Sequence, residues 1–456
     1  MLRGDAGGMP FPARVATSVA LSLTAVVVVA AAAGNRTHAR SDAPGPRVLY
    51  TVPDARLRFT RDADFVGWAA AHGRVYASTA ERAAAEDTWR TNRAWALAMN
   101  AQNERRRVDD DDRGVSAHVL SVDGPFADMT HEAFVATVVG TSLKTFRLSA
   151  PSRNDGDGGA RARGWERGEP PPPSPSPLSP PPSPLPPVVD WVSEGVVAGP
   201  VADQGKCGSC WAISAVEAME AVFKQRTGTF KRGSVQQILD CDREASGCAG
   251  GAFDSAYEWV EANGGMTTAD DYPYRERRGE CELRGEDGHP HRKVINIDGH
   301  GKVPPGEAHL LRRVATQPVA AALEANREVQ LYHSGVLRPF DPDCGAGVNH
   351  AVLVVGYDVR GGGKESVNES PYVKVKNSWG KRWGEDGFAR LALTGDDTRG
   401  ACGVGSPVNS SSIIPFFNIL RCGIKHPRAS ADPSSPPCKN KFTREIEQSS
   451  VHRIDG

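Results

Sequence analysis

Cys207-Gly208-Ser209-Cys210-Trp211 opens the segment on which the reading of this chain turns. Beyond it, Ser214, Glu217, Glu220 and Lys224 fall on a single polar stripe, while Ala212, Ile213, Ala215, Val216, Ala218, Met219, Val222 and Phe223 occupy the other faces. This is the pattern of a largely buried helix that begins near Cys210 and ends near Gly228. A sulfur at its first turn sits among unpaired N–H groups at the positive end of the helix dipole, where a thiolate is stabilised. A lone cysteine in such a place is more often an ordinary buried or bridged residue. Its neighbours have to decide.

Two further stretches supply those neighbours. Asn349-His350 precedes Ala351-Val352-Leu353-Val354-Val355, an apolar run of strand length, and Tyr372-Val373-Lys374-Val375-Lys376 alternates strictly before Asn377. Paired as an antiparallel hairpin with Tyr357 opposite Tyr372, the two runs place His350 within two residues of Asn377. An imidazole beside a helix-start cysteine gives a thiolate–imidazolium pair, and an amide on its other nitrogen fixes ring orientation and tautomer. Gln204 lies on the approach to Cys210 in the turn Asp203-Gln204-Gly205, from which its amide and the Cys210 N–H can form a donor pair for an oxyanion. The remaining histidines, His289 and His291 included, are read as core or surface groups.

Outward from this centre the 456-residue chain divides by composition. Residues 16–33 are an apolar run after Arg3 and Arg14, ending in the small-residue pattern Ala31-Ala32-Ala33. Residues 1–33 therefore read as an export signal or, if uncleaved, a membrane anchor. The sequons at Asn35, Asn368 and Asn409 agree with a secretory route. Phe65 to Asn103 favours one or two amphipathic helices, Glu104 to Arg113 a solvated charged loop, and Phe126 to Thr130 a short strand leading into a helix capped by Thr130. Pro170–Pro187 holds twelve prolines in 18 residues, a polyproline II spacer; it would span on the order of 55 Å. The expected layout is 34–150 helical prodomain, 151–187 Pro-rich linker, 188–416 main domain and 417–456 tail. Lys plus Arg total 54 against 55 acids, so no bulk charge draws the chain to nucleic acid or an anionic membrane.

The segments Gln204 to Ala212, Val348-Asn349-His350-Ala351 and Lys376-Asn377-Ser378-Trp379-Gly380 resemble the papain-like cysteine proteases of cathepsin L type. The likeness covers about 188–416, from Val189-Asp190-Trp191 through Gly247-Cys248-Ala249-Gly250-Gly251 to Trp383-Gly384-Glu385-Asp386-Gly387-Phe388. It implies an α+β fold of two lobes, a left lobe mainly helical and a right lobe an antiparallel, barrel-like sheet, with the active-site cleft between. It implies Cys210 as nucleophile, His350 as general base and acid, Asn377 as its orienter and Gln204 as oxyanion donor, with Trp379 shielding the His–Asn bond. Gly250, Gly251, Phe253, Asn349 and Trp379 become the expected substrate contacts; Ala252 and Pro407 complete an uncharged pocket that favours an apolar residue two positions before the cut. The resemblance also implies the bridges Cys207–Cys248, Cys241–Cys281 and Cys344–Cys402, leaving Cys210 free, and Cys422–Cys438 is then a natural fourth pair.

Upstream, Glu81, Trp89, Asn92 and Asn100 keep the spacing of the Glu/Arg/Phe/Asn/Ile/Asn motif of cathepsin L-type propeptides, although Ala85, Ala96 and Gly124 depart from it. The implied protein is a monomeric endopeptidase, lacking the paired-histidine insertion of exopeptidases. It is made with its own prodomain as intramolecular inhibitor, acts on proteins and peptides, needs no metal or cofactor, and is bound for a lysosome, a vacuole or the outside of the cell. Its long tether would hold the inhibitor at only millimolar effective concentration. Two other readings stand beside it. Cys207-x-x-Cys210 at a helix start is also a thiol–disulfide oxidoreductase signature, which would leave Gln204, His350 and Asn377 without roles; the other is a catalytically inactive binding homologue.

Overall fold

A computed structural model describes residues 64–109, 118–139, 184–285, 287–341, 343–360, 370–395, 400–405 and 412–416. The N-terminal apolar run, the asparagines of the three sequons, Pro407, the linker up to residue 183 and the tail with Cys422 and Cys438 lie outside the described residues.

The upstream segment builds α1 (Phe65–Ala71), started by the Asp64 carboxylate on Gly67 N–H at 2.7 Å, and α2 (Thr79–Asp109). Ser78 and Glu81 frame the start of α2: Ser78 Oγ accepts from Glu81 N–H at 3.1 Å, and Glu81 reaches back to Ala77 N–H. The expected loop at Glu104 is instead the end of α2, because nothing in Glu104-Arg105-Arg106 breaks a helix and Arg106 lies over the Phe340 ring at 4.2 Å. The strand expected at Phe126 is a turn; the strand lies just upstream as β1 (Val119–Leu120). Thr130 does cap α3 (His131–Phe134), accepting from Ala133 N–H at 3.2 Å, and the chain runs on into a π-helical turn, Val135–Val139.

The helical lobe is built on α4 (Cys210–Thr227), with α5 (Val235–Cys241) and α6 (Phe253–Asn263) around it. Gly228 ends α4 at φ 72°, the left-handed conformation in which glycine carries no side-chain penalty. Thirteen of the 18 residues of α4 are buried, so Ser214, Glu217 and Glu220 of its polar stripe are internal as well, and only Lys224 reaches toward solvent. Glu217 pairs with Lys376 Nζ at 2.8 Å, and Glu220 accepts from Gly233 N–H at 2.8 Å. Cys207–Cys248 and Cys241–Cys281 are bridged in this lobe and Cys344–Cys402 in the other.

The second lobe is an eight-stranded sheet of β2 (Val188–Asp190), β3 (Gly299–Lys302), β4 (Val319–Leu323), β6 (Val336–Leu337), β7 (His350–Asp358), β8 (Tyr372–Lys376), β9 (Phe388–Ala392) and β10 (Ser412–Phe416). Its path is β3-β10-β4-β7-β8-β9-β6, with β2 on β7; all pairs are antiparallel except β6 with β9. The described strands form an open path rather than a closed barrel. The helices α7 (Glu307–Val314) and α8 (Arg327–Gln330) flank β4, and β5 (Tyr332–Ser334) pairs with β1 of the upstream segment. The unbroken apolar run of β7 now has its reason. Val352 and Val354 enter the core of the sheet lobe, whereas Ala351, Leu353 and Val355 face the helical lobe, so both faces are covered.

Candidate active site

Cys210 begins α4, is 2% exposed and is free, while Cys207, three residues before it, is bridged. Ser209 holds the N-cap position but makes no side-chain cap bond. α4 packs on β7, and the N–H groups of Ala351, Trp211 and Cys210 itself face the sulfur. Ala351 follows His350, so the sulfur lies beside the first residues of β7.

The β7–β8 hairpin brings His350 to Asn377 at 2.7 Å between Nε2 and Oδ1. Its register has Tyr357 opposite Val373, one residue from the expected partner, because an irregularity between Val354 and Gly356 absorbs a residue. Below it Leu353 faces Lys376, the register that aligns the two side chains. Ser378 N–H donates to the same Asn377 oxygen at 2.8 Å. A backbone N–H can only donate, so that atom is the amide oxygen and His350 Nε2 carries the proton. His350 Nδ1, buried and without a hydrogen-bond partner, is left as the lone-pair nitrogen. Trp379 stacks on the imidazole at 4.4 Å between ring centroids and is 1% exposed.

Gln204 is fully buried, and both its amide protons are engaged: Nε2 donates to Val138 O at 2.7 Å and to Cys207 O at 3.0 Å. Ser378 Oγ donates to its Oε1 at 2.7 Å and so holds the NH2 end in place. Val138 belongs to the upstream segment, which therefore places a peptide carbonyl on this donor. The same segment lays Phe126 and Phe134 edge-on against Trp379 at 5.4 and 5.1 Å. It is anchored at α8, where Gln330 Nε2 donates to Phe126 O and Met129 O, each at 3.1 Å, and Arg327 donates to Asn92 Oδ1 at 2.8 Å.

Covering the cleft sets its electrostatics. Burial pushes the Cys210 thiol up to about 11, against the N–H groups around the sulfur, and holds His350 down at about 4, against its bond to Asn377. Both shifts run toward the uncharged thiol and the uncharged imidazole.

The expected substrate contacts divide. Gly250 needs its lack of side chain, with φ 113°, and a Cβ on Gly251 would lie 2.7 Å from the Trp211 ring. Phe253 is fully buried among the residues of the helical-lobe core rather than exposed in a pocket, and Asn349 Oδ1 accepts from Ala325 N–H at 2.7 Å. Ser378, Val138 and Tyr274, whose hydroxyl lies 2.6 Å from Ser209 Oγ, were not read from the sequence as parts of this site. Only the position of Ser378 beside Asn377 offered a signal.

The model of the papain family cysteine proteases matches residues 185–411. The probable cysteine protease RDL5 of Arabidopsis thaliana is 33% identical over 377 residues, which cover 81% of this chain and 86% of that protein. The chain belongs to the papain family of cysteine proteases. Among other members, the oryzain beta chain of Oryza sativa subsp. japonica is 36% identical over 71% of this chain, a match that spans only 65% of the rice protein. Two solved precursors of the family have similar structures at 29% identity: recombinant stem bromelain precursor, covering 77% of this chain and 97% of its own with a TM-score of 0.59, and the proform of the ragweed pollen cysteine protease Amb a 11, covering 78% and 94% with a TM-score of 0.58. Both matches cover more of the chain than residues 185–411.

Proposed function

We propose that this chain is the zymogen of a secretory-pathway cysteine endopeptidase, with 34–150 as inhibitory prodomain, 151–187 as linker and 188–416 as peptidase. One observation carries the reading: a peptide carbonyl, that of Val138, rests on Gln204 Nε2 at 2.7 Å, in a cleft that also holds a free cysteine at a helix start and an imidazole oriented by an amide. A site that binds one carbonyl beside a sulfur can bind another for attack.

With the prodomain removed, water returns to the cleft and the Cys210–His350 pair can ionise. The Cys210 thiolate adds to the substrate carbonyl, and Gln204 Nε2–H and the Cys210 N–H hold the oxyanion. The imidazolium of His350 protonates the leaving amine, and the resulting thioester is hydrolysed by water with His350 as base. Asn377 keeps the ring in register through both steps, and Trp379 keeps water from their hydrogen bond. Gly250 and Gly251 leave room for a substrate backbone, and an uncharged pocket favours an apolar side chain two residues before the cut. The enzyme works as a monomer in a lysosome, a vacuole or the extracellular space. The oxidoreductase alternative fails on Cys207, which is committed to Cys248.

Cys210→Ala is expected to leave no measurable peptide hydrolysis, and Gln204→Ala to lower kcat by about 10²-fold or more. Gln204→Ala is measured on activated chain normalised to sites labelled by a peptidyl epoxide, and Cys210→Ala, which has no sulfur to label, at equal concentration of folded protein. Parent-like turnover in Cys210→Ala overturns the proposal.

A further inference from the structure

The two donors of the oxyanion site come from opposite ends of one short turn, Gln204 at its start and Cys210 at its close. The turn has restraints of its own: Cys207 N–H donates to Gln204 O at 3.3 Å, Ser209 N–H to Cys207 O at 2.7 Å and Gly208 N–H to Cys248 O at 3.0 Å. These shape its middle. Tyr274, from the loop after α6, reaches both ends. Its hydroxyl donates to Gln204 O at 2.9 Å and lies 2.6 Å from Ser209 Oγ. With the phenolic proton on Gln204, the Ser209 hydroxyl is the donor of the second bond, preferring this short contact over Cys207 O at 3.4 Å.

Ser209 shows that the second contact is used. A serine at an N-cap ordinarily turns its oxygen onto an N–H of the first helical turn. Here that bond is absent, and the fully buried hydroxyl goes to Tyr274 instead. The first turn of α4 is left without a side-chain cap beside the Cys210 sulfur. Burial pushes the Tyr274 phenol up to about 12, so it remains a donor throughout any pH at which the enzyme works.

We propose that Tyr274 is a positioning residue for the oxyanion hole, a single oxygen that fixes the Gln204 backbone against Ser209 and thereby sets the separation of the Gln204 side-chain donor and the Cys210 N–H. It touches neither substrate nor sulfur in this role. The inference rests on the reading of the site as an acyl-transfer centre, and it gives a loop of the helical lobe a part in the chemistry.

The test is Tyr274→Phe, which removes only the oxygen, in the full chain activated in acid and normalised to epoxide-labelled sites. The expected result is kcat lowered about five- to tenfold with KM within about twofold of the parent, as for a weakened oxyanion donor. A peptidyl aldehyde forms a tetrahedral adduct at the sulfur, so its affinity should fall by about the factor lost from kcat. Alkylation by a peptidyl epoxide forms no tetrahedral oxyanion, and its rate should stay near that of the parent. In the Gln204→Ala background the effect of Tyr274→Phe should shrink, because the donor it positions is gone. Unchanged kcat overturns the inference, and so does an equal fall in kcat, aldehyde affinity and epoxide rate, which marks general loosening. A parent chain that neither cleaves peptides nor takes the epoxide would instead overturn the acyl-transfer reading itself.

Discussion

α2 and α4 are both long helices, and they are held in place by opposite means. α4 buries 13 of 18 residues, two of them glutamates, inside a lobe closed by two disulfides. α2 has 31 residues, yet among those with described side chains it buries only Trp89, Asn92, Ala96 and Asn103, a narrow seam at helical spacing. Much of its hold comes from asparagines. Asn92 donates to Ala127 O and Met129 O at 2.8 and 2.9 Å, Asn100 exchanges two bonds with Leu120, and Asn103 donates to His118 O at 3.1 Å. All three grip the returning segment 118–129, whose β1 pairs with β5 and which leads on to the cleft. α4 is built into the core of the helical lobe. α2 holds the segment that follows it largely through polar side chains, with few apolar ones buried, as suits the frame of the proposed inhibitory prodomain.

The sharpest way to break this contrast is inside α4. Glu217→Ala leaves the Lys376 ammonium buried without its carboxylate, and the chain should lose on the order of 3–5 kcal/mol against denaturant unfolding. A loss below about 1 kcal/mol would mean that water reaches Lys376 and that the lobe is looser than its burial indicates.

Glu220 adds a pH signature. Burial, with the Glu217 charge beside it, raises its carboxyl to about 8 in the folded chain from an ordinary value of 4.5. The folded state therefore binds more protons than the unfolded state between those values, and stability falls as pH rises from about 4.5 to about 8. Unfolding midpoints measured across that range should decline in the parent and decline less in Glu220→Gln; parallel curves would remove Glu220 from the explanation.

The smallest change expected is in the proposed prodomain. Asn92→Ala strands two carbonyls and an arginine donor, for about 2–3 kcal/mol of lost hold on the cleft. The uncleaved precursor should be labelled by epoxide tens of times faster, while the matured enzyme keeps its unfolding midpoint. If that midpoint also dropped, α2 would be structural in the way α4 is.

The His350–Asn377 meeting was legible because His350 opens one strand of a hairpin and Asn377 directly follows the other, and apolar alternation fixes such a register to within the irregularity near Val355. The helix after Cys210 and its end at Gly228 were legible for the same local reason. The pairing of β1 with β5 was not, since Val119 and Ser334 are over 200 positions apart and neither strand is long enough to show a period. Nor was the helical run through Glu104, where charged composition pointed to solvent but helix propensity prevailed.

By itself, the sequence determined which atoms can do chemistry: a sulfur at a helix start, an imidazole and two carboxamides, each named by its local pattern. The tertiary structure alone decided their state. Burial shifts the sulfur and the imidazole toward their uncharged forms, the Val138 carbonyl occupies the Gln204 donor, and a tyrosine 64 positions after Cys210 spans the turn between the two proposed oxyanion donors. Propensity and periodicity act over a few residues, whereas desolvation and hydrogen-bond closure depend on what arrives from elsewhere in the chain.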